Sequence, residues 1–435
     1  MMLLGSHHYG GRYKTRLLTV LDVGSSKIVC LIACLRPLDY THHLHGRTHS
    51  VEILGFGVQR SRGIKSGVVM DMLAVEQSIR LAVDAAEKMA GLVVDSVIVN
   101  FSSCRLKSAL INGMVRLGGH EVTMRDVRMA LADVSRKAFD VERHIMHSVP
   151  VSYALDGDKG ISDPVGMMGE LLGVDVHVVT AETASLRNLE ACINRAHLSV
   201  EAMVATPFAS GLAVLVNDEA HLGAACIDFG AGTTTMSVFS EGKFVYADAL
   251  AVGGHHVTLD VARGFSMSIE EAERLKVMYG STLLASADDR RMINVAEIGN
   301  EHRETQYPRS VLCRIVRARV EEILEMLRDC LNRSGLGHII GKRVILTGGA
   351  SQLTGLPEMA RTILGRNVRI GRPLGVSRLP SFAKGAAFSS AVGLLVYPQF
   401  VGFEEKTMQT AVNYLSTGTG GYLQRVGRWL RESFY

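Results

Sequence analysis

The sequence predicts an α/β fold of two domains built around a repeated unit, and three observations carry that expectation. Asp22-Val23-Gly24-Ser25-Ser26-Lys27 and Asp228-Phe229-Gly230-Ala231-Gly232-Thr233-Thr234-Thr235 each interrupt an apolar run with an acid, glycines and hydroxyls. Arg343 to Leu346 is a third short apolar run, ending in Thr347-Gly348-Gly349-Ala350-Ser351. The chain has 435 residues, 47% of them hydrophobic, with 44 Gly beside 9 Pro; it can bury two or more cores and suits many tight turns.

Leu17 to Leu21, branched and small, reads as a buried strand ending directly on Asp22. Gly24, Ser25 and Ser26 permit a tight turn whose backbone N–H groups converge on phosphate oxygens, and Lys27 adds a positive charge. Runs near 17–22, 27–35 and 51–58 form a strand meander. Asp71 then caps a helix on which Leu73, Ile79, Ala82, Ala86 and Met89 keep helical spacing. From 93 to 164 the pattern changes to two strands, a helix at Met124 to Phe139 and a third strand near Ile145 to Tyr153. This is expected to be an inserted α+β unit, and a purely stabilising insert fits these residues equally well.

Leu222 to Ile227 repeats the first plan. Asp228 closes the run, Gly230 and Gly232 turn the chain, and Thr233 to Thr235 line the turn. Two acids facing two such loops suit a hydrated magnesium ion, which is held through a few carboxylates and the phosphates of its ligand. Each loop alone has a plainer reading, because any strand-to-turn junction favours Asp and Gly. Ser268 caps a helix reaching Met278 on which Glu273 and Lys276 lie three apart, placed to reach a ribose and a base together or simply to pair with each other. Gly348, Gly349 and Ala350 allow a flat ligand close to the backbone. Phe208-Ala209-Ser210-Gly211-Leu212-Ala213 and Lys384-Gly385-Ala386-Ala387-Phe388 open helices with small residues, which would let two helices cross closely.

In this order and spacing the five segments resemble the nucleotide site of the actin-like ATPase superfamily: a phosphate loop at Asp22, a connecting helix near Ser210, a second phosphate loop at Asp228, an adenosine loop at Gly348 and a second connecting helix near Gly385. Within it, the chain resembles the FtsA cell-division family from about Arg16 to Tyr435. The resemblance rests on Ser61-Arg62-Gly63-Ile64-Lys65-Ser66-Gly67, Pro207 to Leu212, the second phosphate loop, Ala272-Glu273-Arg274-Leu275-Lys276 and the C-terminal tail. It implies a duplicated, ribonuclease H-like actin fold with a small inserted α+β subdomain and a C-terminal amphipathic helix. Domain I would comprise 17–92 and 165–205 with a return segment at about 380–402, the insert 93–164, and domain II 206–379.

The same resemblance implies ATP and Mg2+ between the domains. Asp22, Gly24, Ser25, Ser26, Lys27, Asp228, Gly230, Gly232, Thr233, Thr234, Glu273, Lys276, Gly348, Gly349 and Ala350 would hold the nucleotide, and Asp22 and Asp228 the metal through water. Thr235 stands where many relatives carry an acid, so turnover would be slow and the nucleotide would act as an assembly ligand. Partners would be further copies of the chain in a polymer, later division proteins, and the acidic tail of the tubulin-like protein FtsZ. That tail would meet a small subdomain at about 281–320, rich in Arg290, Arg291, Arg303, Arg309 and Arg317; arginines on an ordinary solvated helix read the same way. The place of action would be the cytoplasmic face of the inner membrane at the septum.

The tail supplies the membrane expectation. After a flexible linker at 403–421, Tyr422 to Tyr435 gathers Tyr422, Leu423, Val426, Trp429, Leu430 and Phe434 on one helical face, with Gln424, Arg425, Arg428, Arg431 and Glu432 on the other. So short a helix needs a surface to fold against, which is either an anionic membrane or the protein's own body. At a membrane each arginine contributes about 1 kcal/mol, and burying Trp or Leu about 1.5 to 3 kcal/mol. One tail binds reversibly, whereas a row of tails on a polymer holds far more firmly.

The remaining features exclude other classes. A net charge of +4 without a basic stripe argues against nucleic acid. Seven cysteines form no Cys-x-x-Cys pair, which points to buried reduced thiols and the cytoplasm. Residues 1–16 read as a flexible N-terminus without an apolar core, and no run approaches the roughly eighteen apolar residues of a spanning helix. His42, His43, His45 and His49 fall in a polar linker with no carboxylate or cysteine converging on them, so an exposed insertion is expected there and not a metal site. A chaperone of the same superfamily would need a substrate domain that the few dozen residues beyond Pro398 cannot form. A small-molecule kinase would need a cleft acid to deprotonate its substrate, and none stands out.

Overall fold

The computed structural model describes residues 16–38, 44, 46–297 and 300–400. Arg16–Val23 runs antiparallel to Lys27–Pro37, which pairs antiparallel with His49–Arg60. On its other side Arg16–Val23 is parallel to Ser96–Phe101, itself parallel to Ser199–Ala205, and Val376–Ser377 closes the far edge. The result is a six-stranded sheet. The plan recurs in a five-stranded sheet, where Ala224–Phe229 is antiparallel to Thr234–Ser240 and parallel to Arg343–Thr347, with Lys243–Leu250 and Asn367–Ile370 at the edges. Leu18 to Val23 and Ala224 to Phe229 are buried at every position, as strands covered on both faces must be, which is why both read as continuous apolar runs. The expected α/β, actin-like architecture is the one observed.

Met72–Ala90 is the helix expected after Asp71, whose Oδ1 accepts from the N–H groups of Leu73 and Ala74 at 3.0 Å each. Val75, Ile79, Ala82, Val83 and Ala86 are buried, but Leu73 and Met89, which share the helical spacing, are mostly exposed. They lie at the rim of the stripe, where spacing alone does not decide burial. Replacing Asp71 by Ala removes the cap of two orphan N–H groups; a loss of about 1 kcal/mol is expected in urea denaturation.

The inserted unit is a four-stranded sheet in the order Lys107–Arg116, Leu171–Glu182, Arg143–Leu155, Asp158–Ile161, backed by the helix Met124–Ala138. Its own core joins Val127, Ala130, Leu131 and Val134 to Leu172, Val174, Val176 and Val178. Both expected edges of the insert therefore move. Ser96–Phe101, placed inside it at 93–164, belongs to the six-stranded sheet, and Leu171–Glu182, placed in domain I, is an inner strand of the small sheet. Apolar alternation marks a strand but carries no record of which neighbour it pairs with. The insert is docked on the second sheet as well: His177, fully buried, bonds through Nδ1 to Phe244 O at 2.9 Å, and Lys243 Nζ donates to Val151 O at 2.7 Å. Burial holds His177 neutral, with its pKa down at about 3.

Two helices, Thr206–Val214 and Ser389–Val396, join the large sheets and are buried at every residue. Their crossing is a backbone contact, since a Cβ on Gly393 would overlap the carbonyl oxygen of Ala209. The small residues expected to let the helices cross, Lys384 to Phe388 around Gly385, are not the ones at the contact; the nearest atom to a Cβ on Gly385 is Gln352 Oε1 at 3.6 Å. Gly385 lies before the helix begins, whereas Gly393 lies inside it and faces its partner. One hydrophobic cluster runs unbroken from the first sheet through both helices to Cys226, Phe239 and Phe244 of the second.

Two further expectations are corrected. His49 is buried, 6% exposed, at the start of its strand, where its N–H donates to Gln399 Oε1 at 3.0 Å. It is not part of an exposed insertion; His42, His43 and His45 lie outside the described residues. Arg309, read as open to an acidic peptide, is enclosed instead: it is ion-paired with Asp288 and donates to Tyr279 O at 2.8 Å. Arg291 stacks over Tyr279, with 5.6 Å to the ring centroid, and Arg317 lies 3.9 Å from Glu321.

Candidate functional site

The strand ends Asp22 and Asp228 open into one cleft of about 1330 Å³ between the two large sheets. The turns after them are built alike. Gly24 N donates to Lys27 O at 3.0 Å, and Gly230 N donates to Thr233 O at 3.0 Å. The loops also meet, because a Cβ on Gly232 would stand 2.5 Å from Ser25 Oγ and 3.2 Å from Ser66 N. Backbone is therefore exposed to the cleft from both sides, as a polyphosphate requires.

Of the residues expected to bind nucleotide, Asp22, Gly24, Ser25, Ser26, Lys27, Asp228, Gly230, Gly232, Thr233, Glu273, Lys276, Gly348, Gly349 and Ala350 all line this cleft. Thr234 does not. Strand alternation turns it to the opposite face, where its hydroxyl donates to Val252 O at 2.7 Å, and Thr235, paired in register with Asp228, lines the cleft in its place. Gly348 has φ +86 and lies so close to the Asp228 carboxylate that any Cβ would overlap Oδ1. This position admits glycine alone on both counts.

Burial dominates the electrostatics. It pushes the Asp22 carboxyl up to about 6, with the Asp228 charge adding to the effect and Lys27 and Ser390 opposing it. Asp228 is raised for the same reason, against a hydrogen bond from Ser210 and the charge of Lys27. Burial lowers Lys27, which both aspartates support and whose Nζ stands 4.8 Å from the Phe388 ring centroid. Glu273 and Lys276 pair with each other at 2.7 Å, and Lys276 also donates to Thr258 Oγ1 at 2.8 Å and Gly254 O at 3.1 Å. Burial pushes the Glu273 carboxyl up, but bonds from Lys276 and Thr258 outweigh it and hold it below the usual range. The pair is thus organised within its own domain, at one wall of the cleft.

The residues fit a hydrated cation. Asp22 and Asp228 are two buried acids in one cleft, and beside Asp228 the Thr235 hydroxyl is buried without a hydrogen-bond partner. Among the described residues no three His, Cys, Asp or Glu side chains converge to ligate a metal directly. Water and ligand phosphates would complete the shell, as magnesium sites commonly require.

Sequence reasoning missed three polar residues here. Asn100, on the neighbouring strand, accepts from Val23 N at 2.6 Å and donates to Thr206 Oγ1 at 3.2 Å, tying the first loop to a crossing helix. An amide inside the run Val97 to Phe101 was its visible signal. Ser210 and Ser390 each donate to a cleft aspartate and carry no comparable mark. The membrane-facing residues expected in the tail, Leu423, Arg425, Val426, Arg428, Trp429, Leu430, Arg431 and Phe434, lie outside the described residues. Among those described, no helix is long and apolar enough to cross a membrane.

Comparison with known proteins agrees with this geometry. Residues 225–393 match the family model described as cell division protein FtsA, and residues 104–180 match the SHS2 domain inserted in FTSA, close to the bounds of the small sheet. The cell division protein FtsA of Rhizobium meliloti is 54% identical over 443 residues, covering the whole of both chains. That of Escherichia coli K12 is 29% identical over 96% of this chain and 98% of its own. Among solved structures, a chain of the PilM–PilN type IV pilus biogenesis complex superposes with a TM-score of 0.61 at 18% identity, covering 87% of this chain and 98% of its own. MreB5 of Spiroplasma citri bound to ADP gives 0.53 at 12% identity, covering 89% and 97%.

Proposed function

The chain belongs to the FtsA family of cell division proteins, and on that premise we propose that it binds ATP with Mg2+ in the cleft, polymerises, and tethers the FtsZ ring to the cytoplasmic face of the membrane at the septum. The observation that carries the nucleotide reading is the pair of matched glycine turns, each bearing a buried aspartate, that face each other across one cleft. The bound ion would neutralise phosphate charge. Lys27 and the loop N–H groups would hold the phosphates, and the wall at Glu273, Lys276 and Gly348 to Ala350 would hold the nucleoside.

The nucleotide serves mainly as a conformational ligand. Thr235 supplies no charge to position an attacking water. Closure of the two loops on a phosphate chain brings the large sheets together, and that sets the surfaces that successive copies present. The inserted subdomain would receive neighbouring copies and later division proteins. The acidic FtsZ tail would meet the subdomain at about 281–320, through Arg290 and its neighbours and without Arg309, which is occupied by Asp288. The tail helix would lie on anionic lipid and gain firmness from polymer multivalency.

Co-sedimentation with anionic liposomes tests this directly, using the intact chain and a truncation ending at Gly421, with and without ATP and Mg2+. Pelleting that needs the tail and strengthens with Mg·ATP is expected. Pelleting indifferent to both would overturn the polymerising anchor.

A further inference from the structure

The two crossing helices each send one serine hydroxyl to a cleft aspartate. Ser210 of Thr206–Val214, fully buried, donates to Asp228 Oδ2. Ser390 of Ser389–Val396 donates to Asp22 Oδ1 at 3.4 Å. Each serine serves the sheet its helix packs on. Thr206–Val214 packs against Ala224–Phe229 and Thr234–Ser240 and holds the aspartate of the second sheet, and Ser389–Val396 packs against Arg16–Val23 and holds the aspartate of the first.

A serine inside a helix ordinarily satisfies itself on the carbonyl four residues back. Ser210 forgoes that bond for Asp228, and a bond to a charged group contributes more than one between neutral groups. Both serines also sit at the crossing itself. Ser210 follows Ala209, whose carbonyl touches Gly393, and Ser390 lies one turn before Gly393. With backbone against backbone, no flexible side chain there can absorb a change of crossing angle. A shift of the helices must move the hydroxyls, and through them the carboxylates.

We propose that Ser210 and Ser390 are positioning residues that set the two aspartates for a hydrated cation and so couple cation-dependent nucleotide affinity to the crossing of the helices. This rests on the reading of the cleft as an Mg·ATP site. Ser210 does not line the cleft, whereas Ser390 is part of its lining, and each acts through its aspartate.

The test measures ATP binding by calorimetry, with Mg2+ and with EDTA, for the full-length chain and the variants Ser210→Ala, Ser390→Ala, the double alanine and Ser390→Thr. Melting without nucleotide is followed in parallel. Ser210→Ala is expected to weaken Mg·ATP about tenfold and Ser390→Ala, with its longer bond, about threefold, while ATP in EDTA changes less than twofold. Ser390→Thr, which keeps a hydroxyl, should recover the Ser390→Ala loss. A merely structural role would lower affinity equally with and without the cation, and that result, or unchanged Mg·ATP affinity, would overturn the proposal. If Ser210→Ala does not fold, the Ser390 pair still decides. Failure of the unsubstituted protein to bind Mg·ATP would instead defeat the nucleotide reading itself, which separates the two failures.

Discussion

Gly393→Val is expected to cost about 3 kcal/mol or more and to leave the chain poorly folded at 37 °C. A first Cβ would already overlap Ala209 O, and two further methyls have no space between helices that are buried at every residue. Extra methylenes in a well-packed core usually cost about 1 to 3 kcal/mol, and a backbone that cannot move aside belongs at or above the upper end. Against a total stability of about 5 to 15 kcal/mol this is a large share. Urea denaturation gives the magnitude. Gly385→Ala is the matched control, because its Cβ meets nothing closer than 3.6 Å and its φ of −77 suits any residue; a change within about 0.5 kcal/mol is expected there. If the two substitutions cost the same, the crossing does not rest on Gly393.

Asp22→Asn is expected to stabilise the nucleotide-free protein at neutral pH while abolishing its stabilisation by Mg·ATP. Burial raises the Asp22 carboxyl to about 6, above its unfolded value of about 3.9. The folded state therefore binds this proton more tightly than the unfolded chain. The associated stability is fully present below about pH 4 and is lost as pH rises through 6, a swing of about 3 kcal/mol once the group is charged in both states. Asparagine removes the charge and flattens that slope. Urea midpoints of the nucleotide-free proteins at pH 5 and pH 7.5 should show the variant ahead by more at the higher pH. A variant that is less stable at pH 7.5, or equally shifted at both values, contradicts this account. Addition of Mg·ATP should then reverse the ranking, since the cation restores value to the charged carboxylate and has nothing to gain from the amide. The site thus keeps a destabilising charge for its function.

The overlap between reading and structure follows the range of the interactions concerned. The strand ends at Asp22 and Asp228, their glycine turns and the Asp71 cap are encoded within a few residues, and each is found where the sequence places it. Thr234 was legible in principle, since alternation assigns Thr233 and Thr235 to one face and Thr234 to the other. The limits of the insert were not, because Ser96–Phe101 and Leu171–Glu182 are both valine-rich strands and only pairing tells their sheets apart.

By itself the sequence determined the repeated unit of buried strand, aspartate and glycine turn, and with it the fold, the family and most of the residues that line the cleft, because those depend on side chains a few positions apart. The tertiary structure alone decided that Gly393 carries the helix crossing, that Arg309 is enclosed by Asp288, and that Ser390 reaches Asp22 from 368 positions away. A small residue or a hydroxyl has no local signature of its use. Its meaning comes from the backbone or charge that folding brings against it.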